Sequence, residues 1–177
     1  LQNKLAVHYS SLDDLSKNMG QIGLDIALTD SKVGINDVLI FAPADLRKTL
    51  RAYHNQTVDI AATIQGKLAQ LDIKQLNIAG LNDTRINVSG TLNGLPEPER
   101  LQYNFLVNEL RTSKKDISPF LTDSIKMMVN LPDRINANGR ISGNMYQYHP
   151  NLKLMTSDGN ANINGTVNIK PSGNETY

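Results

Sequence analysis

The sequence predicts a mainly β protein made of tandem repeats. Its strands carry one apolar and one polar face, and two or three short helices interrupt them. Three observations predict this. Apolar and polar residues alternate with period 2 along most of the chain. Two longer stretches switch to helical spacing. Strands, helices and prolines then recur after about 75 residues.

The strands come first. Val58, Ile60, Ala62, Ile64 and Leu68 alternate with Asp59, Thr63, Gln65 and Lys67. Ile86, Val88 and Leu92 alternate with Asn87, Ser89, Thr91 and Asn93; Leu101, Tyr103, Phe105 and Val107 alternate with Gln102, Asn104 and Asn108. Ile135, Ala137, Ile141 and Met145 follow the rule, as do Ala161, Ile163, Val167 and Ile169. Ile22, Leu24, Ile26 and Leu28 do so near the start, and Leu5, Val7 and Tyr9 more briefly. Each such run reads as a strand with one buried and one wet face. Between Ile73 and Leu76 the phase slips by one residue, which predicts a bulge at Lys74-Gln75.

Leu46, Leu50 and Tyr53 fall at i, i+4, i+7 after Pro43; Leu121, Ile125 and Met128 do the same after Ser118-Pro119. Ser followed by Pro suits a helix start, because the hydroxyl caps free N–H groups and Pro in the first turn forfeits no bond. Leu12, Leu15 and Met19 make a weaker helical patch, with Asp13-Asp14 as favourable charge at its N-terminus. Lys114-Lys115-Asp116 reads as a solvated loop.

The repeat spacing is explicit. The helical triplets lie 75 apart (121 − 46, 125 − 50, 128 − 53) and their prolines 76 apart (119 − 43). Ile64 and Gly66 match Ile141 and Gly143, 77 apart, and Leu92 matches Val167, 75 apart. A shared strand theme runs through INVSGTLNG from Ile86, INANGRISG from Ile135, ANINGTVNI from Ala161 and VDIAATIQG from Val58. We expect one segment of a longer repeat protein: residues 1–30 end a preceding unit, 31–106 form unit one, and 107–177 form a truncated unit two. Units of this kind bury their faces on one another.

Composition bounds the function. Of 177 residues, 40% are hydrophobic and 20% charged, which is a folded composition, and the net charge of +1 supplies no field for nucleic acid. The absence of Cys excludes thiolate nucleophiles and Cys-ligated metals. The longest apolar run, Val38 to Ala42, is far below the ~20 residues of a membrane helix. There is no phosphate loop, nucleophile elbow or paired-His motif, and His8, His54 and His149 are scattered. The expectation is a protein that is not an enzyme and uses no cofactor.

Gly66, Gly90, Gly94, Gly139, Gly143 and Gly165 lie in phase with the apolar positions. Two explanations stand open: relief of tight curvature, and room for a foreign hydrocarbon. The second assigns a lipid groove lined by Val58, Ile60, Ile64, Ile86, Val88, Leu92, Tyr103, Phe105, Ile135, Ile141, Ile163, Val167 and Ile169. About ten strands at ~4.8 Å each would give a trough on the order of 50 Å long.

The order of these segments resembles a known family. VLIFAPADLRKTL (Val38 to Leu50) precedes INVSGTLNGLP (Ile86 to Pro96), then LRTSKKDISPFL (Leu110 to Leu121), then LPDRINANGRISGN (Leu131 to Asn144). It is similar to the TamB-type translocation and assembly proteins of the AsmA-like group, in their Bacteroidetes-like form, most clearly over 35–169. The resemblance implies an antiparallel or mixed sheet curled into an open apolar trough, β-taco-like, in a periplasmic segment of an inner-membrane-anchored protein, with the anchor elsewhere. It implies phospholipid acyl chains as cargo, moved between the inner and outer membranes. It also implies an outer-membrane barrel partner of the TamA/BamA type, engaged outside this segment. The alternative role is a scaffold for translocation and assembly of outer-membrane proteins.

Overall fold

A computed structural model describes residues 3–41, 44–121 and 123–168. Pro43 and Ile169 lie outside the described residues. The strands are β1 (Lys4–His8), β2 (Gly23–Gly34), β3 (Thr57–Lys67), β4 (Gln70–Gly80), β5 (Thr84–Asn93), β6 (Gln102–Ser113), β7 (Arg134–Asn144), β8 (Gln147–Thr156), β9 (Gly159–Asn164) and β10 (Val167–Asn168). They form one open sheet in chain order, β1 through β8, with β9 and β10 both on the outer side of β8. Every pairing is antiparallel, so the sheet is not mixed. Asn164 faces Asn151 and Val167 faces Tyr148 in one unbroken register. β9 and β10 are therefore a single edge line interrupted at Gly165-Thr166.

β8 was not among the expected strands, because Pro150 interrupts its alternation. The sheet accommodates this proline at the interruption. In an antiparallel strand a residue's N–H and C=O point to the same side. The Pro150 carbonyl accepts from the Gly165 N–H at 3.3 Å, so the missing N–H of Pro150 also points at the break in the edge line.

Three strands carry bulges. The register shifts between Leu28 and Ser31 in β2, between Ile73 and Leu76 in β4, and between Val107 and Leu110 in β6. The intervening residues, Thr29-Asp30, Lys74-Gln75 and Asn108-Glu109, are polar and exposed. The bulge expected at Lys74-Gln75 is thus present, with counterparts on the second strand to either side. Each absorbs one extra residue and bends its strand while the apolar positions on both sides keep the same face.

Two helical insertions leave the same end of the sheet. The first joins β2 to β3 and contains α1 (Ile35–Phe41), α2 (Ala44–Leu50) and a 3₁₀ turn at Arg51–Tyr53. The second joins β6 to β7 and contains α3 (Lys114–Ile117), a 3₁₀ turn at Ser118–Phe120 and α4 (Asp123–Met128). Both close alike: the Ile35 N–H donates to the Gln56 carbonyl at 2.9 Å, and the Lys114 N–H to the Asp133 carbonyl at 3.1 Å.

The expected helix boundaries need correction here. The helix expected after Pro43 is present as α2 with the turn at Arg51–Tyr53, and α1, over the apolar run at Val38, is an additional helix ahead of it. In the second insertion the helix starts at Lys114, where a solvated loop was expected, because Ser113 caps it by accepting the Asp116 N–H at 3.3 Å. Ser118-Pro119 opens only one 3₁₀ turn, and Leu121 is extended (ψ 142°), so it does not join Met128 in one helix. The early patch resolves into two 3₁₀ turns, Leu12–Leu15 and Met19–Gln21. There the Asp14 carboxylate accepts the N–H groups of Ser10 and Ser11 at 3.0 and 3.1 Å.

The register displays the internal repeat. β2 and β6 correspond at an offset of 79 (Leu24 with Tyr103, Val33 with Thr112), bulge included. β3 and β7 correspond at 77 (Val58 with Ile135), and β5 and β9–β10 at 75 (Leu92 with Val167). The best-packed core lies under the first insertion, where Ile35, Tyr53 and Val58 meet Val33, Leu39, Leu50, Ile60, Ile78 and Leu81.

The glycines follow backbone geometry. Gly90 has φ +145° and Gly139 φ +138°, and a Cβ on either would overlap the backbone carbonyl of Asn104 or Asn151 on the next strand. Backbone conformation alone therefore demands glycine at both positions, whatever the face carries. Gly90→Ala should cost about 2 kcal/mol or more, whereas Ser89→Ala next to it should stay within about 0.5 kcal/mol. Urea unfolding followed by circular dichroism checks the pair.

Candidate functional site

Direct cross-strand partners share a face, so the register groups side chains into rows. The first row runs Val7, Leu24, Gly66, Leu71, Leu92, Tyr103, Gly143, Tyr148, Val167. The second is Leu5, Ile26, Ile64, Ile73, Gly90, Phe105, Ile141, Pro150. The third is Leu28, Ala62, Leu76, Val88, Val107, Gly139, Leu152, Ile163. The fourth is Ser31, Ile60, Ile78, Ile86, Leu110, Ala137, Leu154, Ala161, and the fifth holds Val33, Val58, Gly80, Thr84, Thr112 and Ile135.

Twelve of the thirteen residues assigned to the groove therefore lie on one face; Ile169 is outside the described residues. Val58 is buried, and Ile60, Ile64, Ile86, Val88, Leu92, Tyr103, Phe105, Ile135 and Ile141 are half-buried. Ile163 and Val167, on the edge line, are exposed. The sequence reading missed Leu71, Ile73, Leu76 and Ile78 on β4, and Leu152 and Leu154 on β8. The bulge at Lys74-Gln75 and the proline at 150 had broken the alternation that would have shown them.

Aromatic rings gather on the first two rows. The Tyr103 and Phe105 centroids lie 5.6 Å apart and stacked, and Tyr148 tilts against Tyr103 at 6.3 Å. Burial, with the neighbouring Tyr148, pushes the Tyr103 phenol above its ordinary range. The opposite face is polar and locally paired: Asn108 donates to Asn87 at 2.9 Å, Arg140 to Asn104 at 3.2 Å, and Lys32 pairs with Asp59 at 2.8 Å.

The insertions meet over the fifth-row end of the apolar face. Tyr53, from the first, donates its hydroxyl to the Asp116 carbonyl at 3.1 Å, in the second, and its ring stacks on Phe120 at 6.5 Å. Asp116 is only 1% exposed. Its carboxylate accepts the backbone N–H groups of Asn82 at 3.2 Å and Asp83 at 2.8 Å, the Thr84 hydroxyl at 2.8 Å, and the Asn82 side-chain amide. Thr84 and Thr112 share a hydroxyl bond of 2.9 Å beneath it. Burial opposes ionisation, but the hydrogen bonds from Asn82, Asp83 and Thr84 outweigh it and hold this carboxyl below its usual range. The expected solvated loop thus contains the most deeply buried charge of the described residues.

Other chemistry is sparse. His8 ends β1, His54 follows the first insertion's 3₁₀ turn, and His149 on β8 bonds Thr166 and Gln147, each at 3.0 Å. Among the described residues no three His, Asp or Glu side chains are grouped to hold a metal ion, and no helix is long and apolar enough to cross a membrane. A cavity of about 430 Å³ lies at the other end of the sheet, away from the apolar rows, and its cations Lys17 and Arg100 pair with Asp13 and Glu97. Comparison with protein-family models, curated proteins and solved structures finds no match to this chain.

Asp116→Asn should destabilise the fold by about 2–4 kcal/mol at neutral pH, since a buried carboxylate's charge-assisted bonds are weakened together. The folded-state pKa is depressed, so the ionised form's contribution is complete above the unfolded value near ~4 and is lost as pH falls below it. The stability gap between wild type and Asp116→Asn should therefore narrow only below about pH 4. Urea titrations at pH 7, 5, 4 and 3 measure that gap.

Proposed function

We propose that the apolar face is the wall of an open trough that shelters phospholipid acyl chains in transit between the inner and outer membranes. On this reading the segment belongs to a periplasmic, inner-membrane-anchored protein of the TamB type, and it performs no catalysis. The observation that carries it is the set of in-register apolar rows across the whole sheet. Among the described residues these rows are covered by helices at one end only, and no second sheet lies over them.

The energetics suit transport. Each CH₂ removed from water is worth roughly 0.8 kcal/mol, so a long acyl chain resists leaving a bilayer by on the order of 10 kcal/mol. A continuous aliphatic wall offsets that cost at every point of the path, without a specific pocket. Rows running along the sheet, perpendicular to the strands, supply such a path. Aliphatic side chains carry no directional contact, so the wall would select for hydrocarbon over headgroup.

A second reading has one observation in its favour. Among the described residues no strand pairs with the outer edge of β9, and its residues are exposed. Such an edge can receive a strand of unfolded outer-membrane protein by β-augmentation. An outer-membrane barrel partner of the TamA/BamA type serves either role.

Ile64 and Ile141 sit in the second row, away from the helical cover. Ile64→Asp and Ile141→Asp should each lower the phospholipid that co-purifies with the protein by about tenfold, because a carboxylate in the path must be desolvated or bypassed. Strand content by circular dichroism should be unchanged. Lipid mass spectrometry of gently purified protein is the measurement. Wild-type protein free of phospholipid, with crosslinks from positions 64 and 141 that capture only nascent barrel protein, would transfer the assignment to the second reading.

A further inference from the structure

We infer that the Tyr103 phenol, with Tyr148 tilted against it, seats the glycerol-ester end of a phospholipid, an orientation that rests on the lipid reading above. The lipid then crosses the trough with its acyl chains along the strands, pointing toward the helical cover.

Hydroxyl groups on the apolar face are sorted by row. The second and third rows carry only hydrocarbon side chains and glycine. In the fifth, Thr84 and Thr112 bond to each other and Thr84 also donates to Asp116. Ser31, in the fourth, accepts from the Asn3 amide at 2.9 Å. The first row holds Tyr103 and Tyr148, and among the described residues neither phenol has a hydrogen-bond partner. The aromatic of the second row is Phe105, which has no hydroxyl.

The position of Tyr103 is fixed by its neighbours. Its hydroxyl lies over Gly143 on β7, 3.1 Å from where a Cβ would stand. Its ring stacks on Phe105 at 5.6 Å and meets Tyr148 at 6.3 Å. Burial raises its pKa, so the phenol stays protonated and keeps its donor at neutral pH. A side chain with an apolar body and a polar tip suits the level where hydrocarbon gives way to ester.

The two ends of the strands differ in what they admit. At the fifth-row end the helices and their packed core fill the face, and the buried Asp116 carboxylate disfavours a phosphate. At the first-row end the next residues outward on β4 to β7 are Gln70, Asn93, Gln102 and Asn144, cross-strand partners of one another and all uncharged. The loop cations Lys17 and Arg100 pair with Asp13 and Glu97. Recognition at this rim is by hydrogen bond, which fits an ester carbonyl better than an ionic grip on phosphate. The width agrees. Gly66 in the first row and Ile60 in the fourth are six residues apart on β3, a span of about 20 Å. An acyl chain reaches across half of a bilayer's hydrocarbon core, about 15 Å. Chains that start at Tyr103 therefore end short of the fifth row.

Two diacyl phosphatidylcholines test the orientation. They are identical except that one carries a diazirine in the headgroup and the other at an acyl-chain end. Vesicles of each are incubated with the protein and irradiated, and the labelled residues are mapped by mass spectrometry. The headgroup probe should label the first-row end of β6 to β8 severalfold over Leu110, Ala137 and Leu154 in the fourth row, and the chain-end probe should do the reverse. Tyr103→Phe keeps the ring, and its circular dichroism should match wild type. It should lower headgroup labelling at the first-row end by about fivefold, the worth of one net hydrogen bond, and spread the chain-end label over the rows. Label from neither probe would overturn the lipid reading itself. Label from both, spread evenly or placed in reverse, would leave that reading standing and overturn the orientation. Wild-type labelling in Tyr103→Phe would overturn the part given to the phenol.

Discussion

The constraint behind this structure is that every strand must keep its apolar side chains on one side of a single sheet. With one layer there is no opposing sheet to hide a misplaced residue, and a slip of one position would turn a whole strand over. The chain meets the constraint with bulges. At Thr29-Asp30, Lys74-Gln75 and Asn108-Glu109 an extra polar residue is taken up on the wet side, and the rows resume in phase beyond it. Strands of up to 12 residues can thereby bend without losing alignment with their neighbours.

The second organising element is the pair of insertions at one end. Each begins with a short helix closed by the same backbone bond, and together they cover the fifth row. Asp116 joins the insertion to the β4–β5 turn, and Tyr53 joins insertion to insertion. Neighbouring units are thus tied twice, by the strand ladder and by a buried carboxylate above it. The ladder fixes register and spacing; the carboxylate fixes how the rim folds over. Helices cover the apolar face at one end; in the remaining rows Leu71, Ile73, Ala62, Val107 and Ala137 are buried and most other members half-buried.

Much of this was legible in the sequence, for a physical reason. Period 2 is a direct imprint of a one-faced strand, so the strands containing Val58, Ile86, Tyr103 and Ile135 were readable from alternation alone. Alternation left antiparallel and mixed pairing both open, and the structure settles it as antiparallel throughout the described strands. What alternation could not show were the places where it is locally suspended. Pro150 reads as a break until its nitrogen is seen to face the gap at Gly165-Thr166. Ser118-Pro119 reads as a helix start, but the cap had already been made at Ser113. Asp116 was the furthest from view. A charged residue directly after two lysines reads as surface, and only the turn at Asn82 to Thr84, brought in from another strand pair, supplies the donors that bury it.

The corresponding β4 and β8 differ in one more respect. From Ile73 to Leu76 is three residues, opposite two on β5, while from Pro150 to Leu152 is two, opposite two on β7. The second unit has dropped one residue there, and its apolar positions still point the same way. A bulge is therefore a slot at which chain length can change by one without inverting the strand. Related segments can gain or lose residues at these three slots and in the insertions, drifting apart in length and sequence, while their greasy side stays continuous.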